Sequence, residues 1–128
     1  MSDKTYKILI IEDEEPISEV LSERLKNEGF VTVVAADGEQ GLAMALEQKP
    51  DVILLDILMP KKGGLSMLQE LRATEAGKNI PVMMLTNLSG TEDVNKALEN
   101  GAFDYMVKSD WDIANVGNSI RSKLEGTK

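Results

Sequence analysis

The residues with the clearest chemical potential are carboxylates that follow two apolar segments of the chain. Glu12 and Asp13 come directly after residues 8–11, and Asp56 ends the segment 51–56. Carboxylates brought to one site repel one another, and a divalent cation relieves that repulsion. Because the chain contains no histidine and no cysteine, only oxygen ligands are available, and these favour magnesium. The pattern predicts a magnesium site with a carboxylate nucleophile.

Two polar residues end apolar segments later in the chain. Thr86 follows residues 81–85, and Lys108 follows residues 105–107. A hydroxyl, an ammonium group and a cation together suit the equatorial oxygens of a phosphoryl group in transfer. Alone, each residue is equally compatible with a capping or surface role. Combined with the carboxylates, they indicate phosphoryl transfer.

The elements that would position these residues alternate between short apolar runs and apolar residues at helical spacing. The predicted strands are residues 7–11, 30–36, 51–56, 81–86 and 105–108, and a helix is predicted after each of them. Continuously apolar strands separated by helices indicate a parallel sheet that is covered on both faces. The expected fold is a doubly wound α/β domain, in which ligands bind at the carboxyl ends of the strands.

Several residues carry structural predictions. Pro16 suits the first turn of a helix, and Glu14 and Glu15 favour a solvated helix start, where the helix dipole stabilises acidic groups. The methionines at positions 44, 67, 83 and 84 are expected to fill the core. The pair Gly63-Gly64 is expected to provide a loop with positive φ.

Composition excludes several functions. The net charge of −8 disfavours contact with nucleic acid or anionic lipid. Without histidine, the chain cannot perform serine–histidine catalysis or carry a phosphohistidine. The apolar runs are too short to cross a bilayer. A single domain over residues 1–128 in the cytoplasm is the expectation.

The ordered set EDEEP, LLDILMP with the following Gly-Gly, LTN and DYMVK resembles the response-regulator receiver family of two-component systems. The resemblance covers essentially the whole chain. It implies a flavodoxin-like fold with five parallel strands in the order 2-1-3-4-5 and five helices. It also implies a phosphoacceptor domain rather than a classical enzyme.

The resemblance assigns roles to the site residues. Asp56 would be the phosphorylated residue. Glu12, Asp13, Asp56 and the backbone carbonyl of Leu58 would bind Mg²⁺. Lys108 would pair with the phosphoryl group.

A conformational switch is also implied by the resemblance. Thr86 would move to hydrogen-bond the phosphoryl group, and Tyr105 would turn inward as Thr86 moves. The surface altered by this movement would be the fourth helix, the fifth strand and the fifth helix.

The partners follow from the same resemblance. A sensor histidine kinase or a histidine phosphotransfer protein would supply the phosphoryl group, and a downstream protein target would bind the altered surface. No direct contact with nucleic acid or with a membrane is expected.

Three alternatives remain open. An adaptor that works without phosphorylation is compatible with Ser109, where the family usually has proline, and with Asn87, where it usually has a small residue. An aspartate-nucleophile phosphatase would need a second aspartate where Leu58 stands. A flavin-binding module is disfavoured because the four consecutive carboxylates of residues 12–15 repel phosphate.

Overall fold

Five strands and five helices alternate along the described part of the chain. The computed structural model describes residues 5–56, 63–86, 92–107 and 113–125. The elements are β1 (Lys7–Ile11), α1 (Glu15–Asn27), β2 (Val31–Ala35), α2 (Gly38–Gln48), β3 (Val52–Asp56), α3 (Gly64–Arg72), β4 (Val82–Thr86), α4 (Glu92–Glu99), β5 (Asp104–Val107) and α5 (Ile113–Glu125). Within these ranges, no helix is both long and apolar enough to span a bilayer.

The five strands form one sheet in the order β2-β1-β3-β4-β5, and all neighbouring pairs are parallel. This confirms the predicted parallel α/β class. Because β1 and β3 are neighbours with Ile11 opposite Leu55, the residues that follow β1 emerge beside the last residue of β3. The order therefore decides which side chains meet at the carboxyl edge.

Two apolar cores cover the two faces of the sheet. Alternate residues of each strand point to opposite faces, so Leu9 and Ile11 of β1 pack with buried residues of α2 and α3. Ile8 and Ile10 pack with buried residues of α1 and α5. The strands are apolar on both sides for this reason, as expected for a parallel sheet between two helical layers.

Most of the predicted local features are confirmed, and one is wrong. Pro16 lies in the first turn of α1. Met67, Met83 and Met84 are buried in the core. Gly63 and Gly64 do not provide positive φ, since Gly63 has φ −70° and precedes Gly64, the buried first residue of α3. The pair instead forms the start of α3, with Gly63 as the residue before its first turn.

Arg72, the last residue of α3, connects two loops at the amino edge of β4 and β5. Its guanidinium donates hydrogen bonds to the carbonyl oxygens of Gly77 at 2.9 Å and Ile80 at 2.8 Å. It also donates to the carbonyl oxygens of Asn100 at 3.0 Å and Gly101 at 3.1 Å. Burial lowers the pKa of Arg72 from its ordinary value, yet a guanidinium remains charged at physiological pH. Arg72 therefore joins the turn before β4 to the end of α4.

Gly41 allows α2 to approach β1 closely. A Cβ atom at this position would lie 2.5 Å from Cδ1 and 2.9 Å from Cγ2 of Ile11, which is fully buried. We expect Gly41→Val to lower the free energy of unfolding by about 2 kcal/mol through overpacking. Ala43→Val places the same side chain on the exposed face of α2 and should cost about 0.5 kcal/mol. Denaturant titration measures both values, and equal losses would contradict the close packing.

Candidate functional site

Two neighbouring strands bring three carboxylates to the carboxyl edge of the sheet. Glu12 and Asp13 follow Ile11 at the end of β1, and Asp56 is the last residue of β3. One carboxylate oxygen from each of these acids lies within 4.8 Å of the others. The predicted cluster of Glu12, Asp13 and Asp56 is therefore present in the fold.

Burial makes this cluster electrostatically costly. Glu12 is 2% exposed and Asp56 is 3% exposed, whereas Asp13 is exposed. At an effective dielectric constant of about 20, two unit charges at this spacing repel by on the order of 3 kcal/mol. A cation bound between the acids would remove that repulsion. Two of the three acids are therefore not part of an ordinary solvated surface.

Hydrogen bonds hold Glu12 in place. Its N–H donates to the carbonyl oxygen of Ala35 at 3.1 Å, which continues the pairing of β1 with β2. Its carboxylate Oε2 accepts a hydrogen bond from the N–H of Glu14 at 3.0 Å, at the start of α1. Glu12 is thereby anchored to both neighbouring elements, while Asp13 lies at the open side of the cluster.

The remaining predicted site residues lie on or after β4 and β5. Thr86 ends β4, one residue beyond Leu85, which is opposite Asp56. Tyr105 is on β5, opposite Met84. These positions place Thr86 at the same edge as the carboxylates, as the strand pattern predicts.

Two predicted site residues fall outside the described ranges. Lys108 directly follows Val107, the last residue of β5, which is opposite Thr86. Leu58 follows the end of β3 by two residues. Their assignments remain predictions from the sequence.

The donor set fits a hard divalent cation. Carboxylate oxygens are the ligands that magnesium prefers, and magnesium typically takes one or two of them together with water and phosphate oxygens. Asp13 is open to solvent, whereas Glu12 and Asp56 are buried below it, so the site has an open side for a ligand. This arrangement can hold a cation and present one carboxylate oxygen to an incoming electrophile.

A cleft beside this site was not predicted from the sequence. It extends from Glu12 and Asp13 along α1, where Glu15, Glu19 and Glu23 line it. The spacing of four residues between these glutamates is the signal that could have revealed it, because residues four apart share one face of a helix.

The sequence of this chain is similar to proteins of one family. Residues 8–117 match the sequence profile of the family described as response regulator receiver domain. The chain is 37% identical over 121 residues to the DNA-binding dual master transcriptional regulator RpaA of Synechocystis, an alignment that covers 94% of this chain and 50% of that protein. The chain spans about half the length of the curated relatives that it matches.

Solved structures of receiver domains share the whole fold. The receiver domain of the Francisella response regulator 1452 superposes with a TM-score of 0.86 at 30% identity, covering 96% of this chain and 99% of that one. The receiver domain of the sensor histidine kinase PA1611 from Pseudomonas aeruginosa superposes with a TM-score of 0.87 at 29% identity, covering 95% and 99%. That protein has a magnesium ion coordinated in its active site cleft.

Proposed function

Because the chain belongs to the response regulator receiver domain family, we propose that it accepts a phosphoryl group on Asp56 and signals through a protein-binding surface. Receiver domains are phosphoacceptor signalling domains of two-component systems and not classical enzymes. The observation that carries the proposal is the position of Asp56, a buried carboxylate at the edge of the sheet within 4.8 Å of two further carboxylates.

Magnesium is the cation that we assign to this cluster. Glu12, Asp13 and Asp56 would hold it, with the backbone carbonyl of Leu58 as a further ligand. The bound ion would neutralise the carboxylates and the oxygens of the incoming phosphoryl group. The similarity to a receiver domain with magnesium in its active site cleft supports this assignment.

Asp56 acts as the nucleophile in the proposed reaction. A carboxylate oxygen of Asp56 forms a bond to phosphorus while the bond from phosphorus to the imidazole nitrogen of the donor breaks, and the imidazole leaves. Lys108 and Thr86 stabilise the charge on the phosphoryl oxygens by donating hydrogen bonds. The donor is a sensor histidine kinase or a histidine phosphotransfer protein, because this chain has no histidine of its own.

The proposed output is a change in the surface formed by α4, β5 and α5. Thr86 and Tyr105 lie on the neighbouring strands β4 and β5, so a movement of one strand end can be passed to the other. A downstream protein target binds the altered surface. We propose that this region itself does not contact nucleic acid, because its net charge of −8 repels phosphate, and that it acts in the cytoplasm.

Phosphoryl uptake is tested by incubating the protein with magnesium and acetyl phosphate and recording its intact mass. We expect one added phosphoryl group in the wild type, none in Asp56→Asn and none when a chelator removes magnesium. Glu39→Gln, an exposed position on α2, should react like the wild type. A wild type that binds magnesium and takes up no phosphoryl group would instead support the adaptor that works without phosphorylation. Turnover of phosphate esters would support the phosphatase.

A further inference from the structure

A cleft of about 540 Å³ lies along one edge of the sheet, between α1 and β2. Glu15, Glu19 and Glu23 line it from α1, and Val34 lines it from β2. The phosphoryl-transfer chemistry proposed above does not use these four residues.

The outer edge of β2 lies beside this cleft, which Val34 lines, and it presents backbone groups on the side away from β1. The N–H of Val31 donates to Tyr6 at 2.9 Å, and the carbonyl of Ala35 accepts from Glu12 at 3.1 Å, both toward the β1 side. Since alternate residues of a strand in a parallel pair face its neighbour, Thr32 and Val34 direct their N–H and C=O groups away from β1. No strand pairs with this edge within the described residues.

This edge lacks the features that normally prevent strand addition. Its sequence, VTVVA, contains no charged residue and no proline, which are the usual protections of an edge strand. Val31 and Val34 are 47% and 40% exposed. Just beyond the strand, the side chain of Gln40 accepts the N–H of Ala36 at 2.8 Å. This contact, in which a side chain occupies a backbone N–H, therefore lies just beyond the end of β2.

The negative charge on α1, beside the edge of β2, favours a positively charged partner. Glu15, Glu19 and Glu23 form one row on α1, and like charges four residues apart destabilise a helix. Neither Glu19 nor Glu23 forms a salt bridge within the part of the chain that the structure describes. Lys26 is the one basic residue among those that line the cleft. A positively charged ligand would offset this repulsion, whereas a second copy of a chain with net charge −8 would add to it.

We propose that this cleft binds an extended, basic segment of a partner protein, which adds a strand to the edge of β2. The backbone of the segment pairs with Thr32 and Val34, and its lysine or arginine side chains contact Glu19 and Glu23. Strand addition uses main-chain hydrogen bonds for affinity and side-chain contacts for specificity. This surface extends the function beyond phosphoryl acceptance, because it lies on the β2 edge and not on α4, β5 and α5.

The test is a fluorescence anisotropy titration with a short labelled peptide of alternating lysine and valine. Magnesium is present so that the carboxylate cluster does not itself attract the peptide, and the salt concentration is about 0.1 M, which screens distant charges. Two variants address the two contacts. Glu19→Gln combined with Glu23→Gln removes the negative charges. Val34→Pro removes an N–H that points away from β1, and it removes no hydrogen bond between β1 and β2. The matched control is Glu39→Gln with Glu47→Gln, which makes the same charge change on the exposed face of α2.

We expect the paired glutamine variant to bind the peptide about fivefold more weakly, as exposed ion pairs of ordinary strength predict. Val34→Pro should weaken binding about tenfold, the effect of one lost hydrogen bond and a local clash. The control pair should bind like the wild type. In the wild type, the amides of Thr32 and Val34 should exchange hydrogen more slowly once the peptide is bound, a result that does not depend on any variant folding.

Three results would overturn the proposal. The first is an equal loss of affinity in the two glutamine pairs, which would mean a general attraction to negative charge. The second is no binding by the wild type, or unchanged exchange at Thr32 and Val34 when peptide is bound. The third is self-association in sedimentation that Val34→Pro abolishes, which would assign the edge to a second copy of this chain.

Discussion

Replacing Asp56 with asparagine is expected to stabilise the protein in the absence of magnesium and to abolish its stabilisation by magnesium. Asp56 is 3% exposed and lies within 4.8 Å of two other carboxylates. Neutralising it removes repulsion that the fold otherwise retains, and we expect a gain of about 2 kcal/mol in the free energy of unfolding. At a magnesium concentration about ten times the Kd, the wild type should gain about 1.4 kcal/mol, and Asp56→Asn should gain almost nothing.

Asp51→Asn is the matched control for this result. Asp51 lies just before the other end of the same strand, where its side chain accepts a hydrogen bond from the N–H of Lys7 at 2.8 Å. An asparagine oxygen can accept the same bond, so this variant should show no stabilisation and a normal response to magnesium. Chemical denaturation of the wild type and of both variants, with and without magnesium, gives all six free energies of unfolding. A destabilised Asp56→Asn protein that still responds to magnesium would contradict the proposed cation site.

Arg72→Met is expected to lower the free energy of unfolding by about 3 kcal/mol. The guanidinium donates hydrogen bonds to four carbonyl oxygens from two loops, and methionine has a similar length but no donor. A buried hydrogen bond to a charged group contributes about 1.5–3 kcal/mol net, and acceptors left without a donor add a penalty where they are buried. Because Arg72 is only half-buried, water can replace part of these bonds after the substitution, and we expect a loss well below the sum of four such bonds.

Arg24→Met removes the same charged group from an exposed position. Arg24 of α1 pairs at 2.7 Å with Glu28, which is four residues further along the chain and directly follows the helix, and such pairs contribute about 0.3–0.5 kcal/mol. Denaturant titration of the two variants should therefore give losses that differ several-fold. Equal losses would show that the contacts of Arg72 do not connect the turn before β4 to the end of α4.

Part of the carboxylate cluster could be predicted from local sequence, because the acids directly follow or end apolar runs. The apolar runs that precede Glu12 and end at Asp56 mark buried strands, and in a parallel sheet the ends of such strands share one edge. The neighbouring positions of β1 and β3 came from the family resemblance, which implied the strand order now observed. Buried parallel strands, with β1 next to β3, are together sufficient to bring the three acids into one site.

Long-range contacts could not be predicted in the same way. Nothing near Arg72 in the sequence indicates that its guanidinium reaches Asn100, which is 28 residues away. The need for Gly41 arises from Ile11 on another element. Gly63 and Gly64 were assigned positive φ because glycine permits it, whereas the observed φ of −70° at Gly63 starts a helix. Each case depends on which elements pack together, and residue type alone does not contain that information.

The most direct test of the central claim is to identify the residue that carries the phosphoryl group. The protein is phosphorylated with acetyl phosphate and magnesium, and borohydride then reduces the acyl phosphate to a stable alcohol that peptide sequencing by mass spectrometry locates. We expect that position 56 alone is reduced to homoserine. Modification at Asp13 or Asp51, or none at position 56 in a protein that has gained a phosphoryl group, would contradict it.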